Sequence, residues 1–177
     1  GSTFLAAYAM DRRNADLAAL AVLGAVGDLQ DQRLRQLEGI NRTVMNLARE
    51  GGMLEAVQDI RYFGRETRPL HKFLEFSSDP FLPRISGNEQ GSLGFLLELG
   101  IELKEGDAWR SWSDLTKTEK DRILAALRDH LSSMKRRPEV IERLVGEVYA
   151  FQKEKKGSPL RDAKEFATLL NACGRHG

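Results

Sequence analysis

The sequence is short of the residue types that most chemistry needs. Of its 177 residues only Cys173 is a cysteine, so no internal disulfide framework can form, and Cys173 has no obvious base beside it in the sequence. His71, His130 and His176 are its only histidines, and they have no metal-ligand spacing. Gly87, Gly91 and Gly94 are not followed by the Lys-Ser/Thr of a phosphate loop, which leaves them as turn and packing positions. No apolar run reaches the roughly 18 residues of a membrane span, and no partner membrane is expected. Neither sign of charge prevails: 27 Lys and Arg face 26 Asp and Glu, a net charge of +1. Nothing therefore draws the whole chain toward a polyanion, and any such contact must come from a local patch. A soluble, cytoplasmic protein is expected.

What is present is enough for a core, since 41% of the side chains are hydrophobic. The first two residues, Gly1-Ser2, look like a protease-cleavage remnant, and no initiator Met precedes them. The chain is thus expected to be an excised piece of a longer protein.

Periodicity predicts an α/β chain with a helix-rich middle. Small and apolar residues from Ala15 to Val26 suit a helix packed closely on several sides, and Leu34, Leu37, Ile40, Val44 and Leu47 form an amphipathic stripe ended by Gly51-Gly52. Leu54 to Phe63 reads as a strand leading into the loop 64–69, and Asp79 to Pro83 as an extended connection. Ser86 with Glu89 fits a capping box ahead of Leu93 to Leu99, closed by Gly100. A second box, Thr116 with Glu119, opens a helix whose stripe is Ile123, Leu124, Leu127, Leu131 and Met134. Another helix should start at Pro138, a strand should run from Glu147 to Gln152, and Ala163 to Leu170 should again be helical.

Asp28 ends the first of these helices, near the negative end of its dipole, where a carboxylate is disfavoured by roughly 0.3 to 1 kcal/mol. Composition alone reads it as a solvated turn residue; the sharper reading is a ligand of Mg²⁺ or Mn²⁺, hard ions that prefer carboxylate oxygens. Arg61, Arg65 and Arg68 interleave with Tyr62 and Phe63, a composition that can grip phosphates and stack bases, or can simply pair with Asp59 and Glu66 on the surface. Trp109 and Trp112, flanked by Arg110, Ser111 and Ser113, are candidate contact aromatics for a protein partner; the competing reading anchors at least one in the core.

The run Ala18 to Asp28 resembles the last metal-binding motif of the RecJ-like branch of DHH phosphoesterases, in which an apolar helix delivers one aspartate to a two-metal cluster. Arg65 to Leu70, Pro83 to Gly91 and Phe95 to Ile101 resemble the segment that follows the catalytic domain in archaeal RecJ-like proteins, and Ser158 to Arg175 is similar to the entry of their DHHA1 domain. The resemblance implies three parts: residues 1–52 as the end of a DHH domain, 53–150 as a partner-binding insertion, and 151–177 as the start of DHHA1. It implies a parent that degrades single-stranded DNA with Mn or Mg, a metal-ligand role for Asp28, a nucleic-acid role for Arg175, and docking of the insertion onto GINS, a four-subunit replication factor. The other motifs of the family, including the Asp-His-His run, are absent here. A two-metal mechanism needs ions about 3.5 to 4 Å apart, held by several ligands. The chain alone is therefore expected to hold no complete catalytic site and no cofactor. Two alternatives remain: a nucleic-acid-binding piece of the nuclease, and part of a degenerate relative acting as a replicative-helicase subunit.

Overall fold

A computed structural model describes the backbone of residues 2–176 and the side chains of residues 2–174. The fold is mixed α/β, as the sequence predicts. In chain order the helices are α1 (Ser2–Met10), α2 (Ala18–Gly27), α3 (Gly39–Glu50), α4 (Leu70–Glu75), α5 (Glu89–Glu98), α6 (Lys117–Ser133), α7 (Pro138–Ile141) and α8 (Ala163–His176). The strands are β1 (Leu54–Ile60), β2 (Lys104–Glu105), β3 (Ala108–Trp109) and β4 (Val145–Phe151). The chain divides into two compact units, residues 1–59 with 146–177 and residues 60–145, each around its own hydrophobic core.

In the first unit α2 packs against both α3 and α8. Its small residues make this possible: Ala18, Val22, Ala25 and Val26 are buried, and a methyl group at Gly27 would lie 3.4 Å from the Cβ of Ala167. β1 pairs with β4. Hydrogen bonds from Arg61 N to Leu144 O and from Gln152 N to Met53 O join the strands at opposite ends, so they run antiparallel.

The stripe predicted from Leu34 is only partly right. The helix begins at Gly39, and Leu34 and Ile40 are exposed, while Leu37, Val44, Met45 and Ala48 are buried. A tertiary contact overrides the helical pattern here. Arg35 has φ +59, its carbonyl accepts from Glu147 N, and Leu37 N donates to the Tyr149 hydroxyl at 2.8 Å, so the segment is held in a non-helical path beside β4. That hydroxyl donates in turn to Glu147 Oε2, and Glu147 Oε1 accepts from Arg42, so the polar groups under the turn are satisfied.

The second unit is built on α6. The Thr116–Glu119 box closes as predicted, with Thr116 Oγ1 accepting from Glu119 N and Glu119 Oε2 accepting from Thr116 N. Ile123, Leu127 and Leu131 are fully buried on one face of the helix, against a core that includes Leu70, Phe73, Leu74, Leu96 and Trp112. The Ser86 box does not form. Asn88 caps α5 instead, its side chain accepting from Gly91 N, while Ser86 Oγ is buried against Ser77 Oγ and accepts from Leu82 N. A buried hydroxyl must find a partner, and the tertiary one wins over the helix end. The short α4 after Pro69 and the β2–β3 hairpin, whose turn contains Gly106 with φ +60, escape the sequence reading, as does α1 in the first unit.

Candidate functional site

The 60–145 unit carries a polar and aromatic surface assembled from α4, α5 and the hairpin. Residues of α4 meet the start of α5: Lys72 Nζ lies 2.9 Å from both Glu75 Oε2 and Glu89 Oε2, and His71 Nε2 lies 3.5 Å from Glu89 Oε1. The hairpin adds Trp109, whose indole rests against the His71 ring at 4.5 Å between centroids, with Lys104 Nζ 4.6 Å from its own centroid. Trp109 is 46% exposed although His71 beneath it is buried. Burial pulls the His71 pKa below its ordinary value, with the Glu89 charge opposing, so the ring is neutral at neutral pH and accepts no fixed charge under the indole.

Beside this cluster the Arg68 guanidinium lies between two rings, 4.8 Å from the centroid of Phe63 and 4.8 Å from that of Phe76. Such contacts contribute about 0.5 to 1 kcal/mol each at exposed sites. The arrangement depends on Gly64, which has φ +96 and over whose Cα the Arg68 stem passes closely enough that a methyl group would collide with it.

The structure separates the residues expected to act together. Trp109 is open, whereas Trp112 is fully buried, 5.5 Å from the Phe73 ring, and belongs to the core. Of the arginines, Arg65 is buried, Arg61 is half-buried and Arg68 is stacked. Arg175 lies in the last turn of α8, and its side chain is outside the described residues. Asp28 is the exposed C-cap of α2, at the rim of a groove lined by Phe4, Leu17, Leu20 and Ala21. Among the described residues no three His, Cys, Asp or Glu side chains gather to hold a metal ion, so Asp28 stands as a single carboxylate. A single carboxylate does not by itself make a two-metal centre. No helix of the described residues is long and apolar enough to cross a membrane.

The sequence reading missed Phe76, His71 and Glu89 as members of this surface. A faint signal existed: Gly64, Arg68, Lys72 and Phe76 recur at intervals of four, which would suit one helix face, yet only the last part of that segment is helical.

Residues 62–145 match the family model of the DHH-CID domain, a span that falls within the 60–145 unit. Over 162 residues the chain is 28% identical to the uncharacterized protein MJ0831 of Methanocaldococcus jannaschii, covering 92% of this chain and 32% of that relative. The chain therefore spans about a third of the length of the curated relative it matches. The family-model match covers 84 of the 177 residues, so the likeness to a DHH-family domain is shown for this unit alone.

Proposed function

We propose that the chain is part of a RecJ-like, metal-dependent nuclease of the DHH family, and that its central unit is a docking module for a subunit of the GINS replication complex. The observation that carries the reading is the coincidence of the DHH-CID match at 62–145 with a unit that has its own core at 60–145. A separately packed insertion can present a partner surface without disturbing chemistry elsewhere in the chain. Trp109 is the proposed anchor, an exposed indole at a hairpin tip with a cation on its ring, the residue type that interfaces favour. Trp112 supports that surface from the core.

In the whole protein Asp28 would supply one oxygen ligand to a Mn²⁺ or Mg²⁺ pair, with the remaining ligands coming from motifs not contained in these 177 residues, and single-stranded DNA would be the substrate. The docking test is titration calorimetry of the chain with each GINS subunit of the same organism. Binding to one subunit is expected, and Trp109→Ala should weaken it by about 30-fold, the effect of losing an anchor of roughly 2 kcal/mol. No heat and no co-elution with any subunit would remove this reading. Separately, Asp28→Ala in the full-length nuclease should abolish Mn²⁺-dependent degradation and leave docking intact; unchanged degradation would return Asp28 to an ordinary turn.

A further inference from the structure

The Arg68 guanidinium is held by rings rather than by acids. No carboxylate or carbonyl among the described residues accepts a hydrogen bond from it, and its contacts are the Phe63 and Phe76 rings. Among the described residues its N–H donors therefore meet no acceptor, while its position is set by the two ring contacts and by the close passage of its stem over Gly64. One of the two rings is itself open: Phe76 is 56% exposed, a large cost in apolar surface for a residue at the end of a six-residue helix. Lys72 Nζ lies 5.9 Å from the same ring. Between positions 61 and 72 Glu66 is the single acid beside Arg61, Arg65, Arg68 and Lys72, but Lys72 is paired with Glu75 and Glu89 and Arg65 is buried, which leaves Arg68 as the cation that the rings present.

We propose that Phe63, Arg68 and Phe76 form a single-stranded nucleic-acid contact, in which Arg68 donates to a backbone phosphate and an unpaired base stacks on the exposed Phe76 ring. An oxyanion satisfies the donors that the rings leave unused, and a flat apolar face satisfies the ring that the fold leaves uncovered. Nucleic acid offers both within one nucleotide. An acidic peptide would meet only the first requirement, and a duplex only the phosphate, because its bases are stacked on one another. The contact lies within the 60–145 unit, does not involve Asp28, and is independent of the GINS reading.

The test is fluorescence anisotropy of the full chain with a labelled oligothymidylate of about twelve nucleotides, within the range of single-strand site sizes, titrated at several salt concentrations. Saturable binding is expected, stronger than to a duplex of the same length or to an abasic strand. Phe76→Ala should weaken it roughly five- to a hundred-fold, the range for one lost base stack. Arg68→Gln should reduce the salt slope by about one, the loss of one phosphate contact, which a purely structural effect would not do. Phe76→Leu keeps apolar bulk and guards against misfolding: if it melts like wild type and still binds weakly, the stack is supported. The proposal is overturned if the wild type does not bind, if the variants bind with wild-type affinity and slope, if the abasic strand binds equally, or if polyglutamate binds through Arg68 while the oligonucleotide does not.

Discussion

The imidazole of His71 and the indole of Trp109 lie 4.5 Å apart at an interplanar angle of 53°, one ring buried and the other half exposed. The hairpin that carries Trp109 consists of two strands of two residues each, too little to hold a side chain in place alone. The ring contact with α4, together with the hydrogen bond from Leu70 N to Arg110 O, ties the hairpin to the body of its unit.

Acid should loosen this arrangement. Burial holds the folded pKa of His71 below its ordinary 6.5, so the unfolded chain binds the proton more readily than the folded one. The contribution of the neutral, buried ring is fully present above pH 6.5 and declines as the pH falls from there toward the lower folded value. Glu89, Glu75, Lys72 and Lys104 are the charged groups around the ring pair, and Glu89 moderates the effect. The melting temperature should fall between pH 7.5 and 5.5, and His71→Gln should flatten that dependence. An identical slope in the variant would place the pH response elsewhere.

The paired contact of Arg110 with Glu119, Nη1 to Oε1 at 2.8 Å and Nη2 to Oε2 at 2.9 Å, joins the hairpin side of the unit to the start of α6. Hydrogen bonds from Arg110, and then from Thr116, bring the Glu119 pKa down to about 2 from 4.5. A lowered carboxylate pKa stabilises the fold above pH 4.5, and this is lost as the pH falls toward 2. Arg110→Met should cost roughly 1 to 3 kcal/mol at pH 7, and the difference from wild type should shrink in acid. Urea unfolding at pH 7 and pH 3 measures both.

Two glycines of α5 should respond oppositely to alanine. A methyl group at Gly91 would run into the carbonyl oxygen of Arg84, a backbone atom with little room to move, whereas one at Gly94 meets nothing within 4 Å. Gly91→Ala should destabilise by about 1 to 3 kcal/mol. Gly94→Ala, inside the helix, should stabilise by up to about 1 kcal/mol. Thermal melts of the two variants side by side settle the contrast.

The two tryptophans should likewise divide. Trp112→Ala empties a fully buried site and should cost about 3 to 5 kcal/mol. Trp109→Ala should change stability by about 1 kcal/mol or less, and its effect should appear in partner binding. Equal losses of stability would mean that Trp109 belongs to the core as well.

Local pattern was enough to determine the mixed α/β class, the closely packed α2, the whole of α6 with its cap, and the helical start at Pro138. Each of these rests on interactions within a few residues: a capping hydroxyl reaching three positions ahead, a stripe repeating every three or four, a ring that fixes φ. The segments whose likeness to archaeal RecJ-like proteins is read from sequence, Arg65 to Leu70, Pro83 to Gly91 and Phe95 to Ile101, all fall within the span that matches the DHH-CID domain model. The tertiary structure decided what depends on distant partners. Tyr149 and Glu147 keep Arg35 and Leu37 out of a helix that the stripe predicts, and Leu82 and Ser77 draw Ser86 away from the end of α5. Burial divides Trp109 from Trp112 and Arg68 from Arg65, because three residues of separation set chemistry but not which side of a turn meets the core. Phe76 reaches Arg68 only when α4 folds back from Pro69, a geometry that no short-range rule contains.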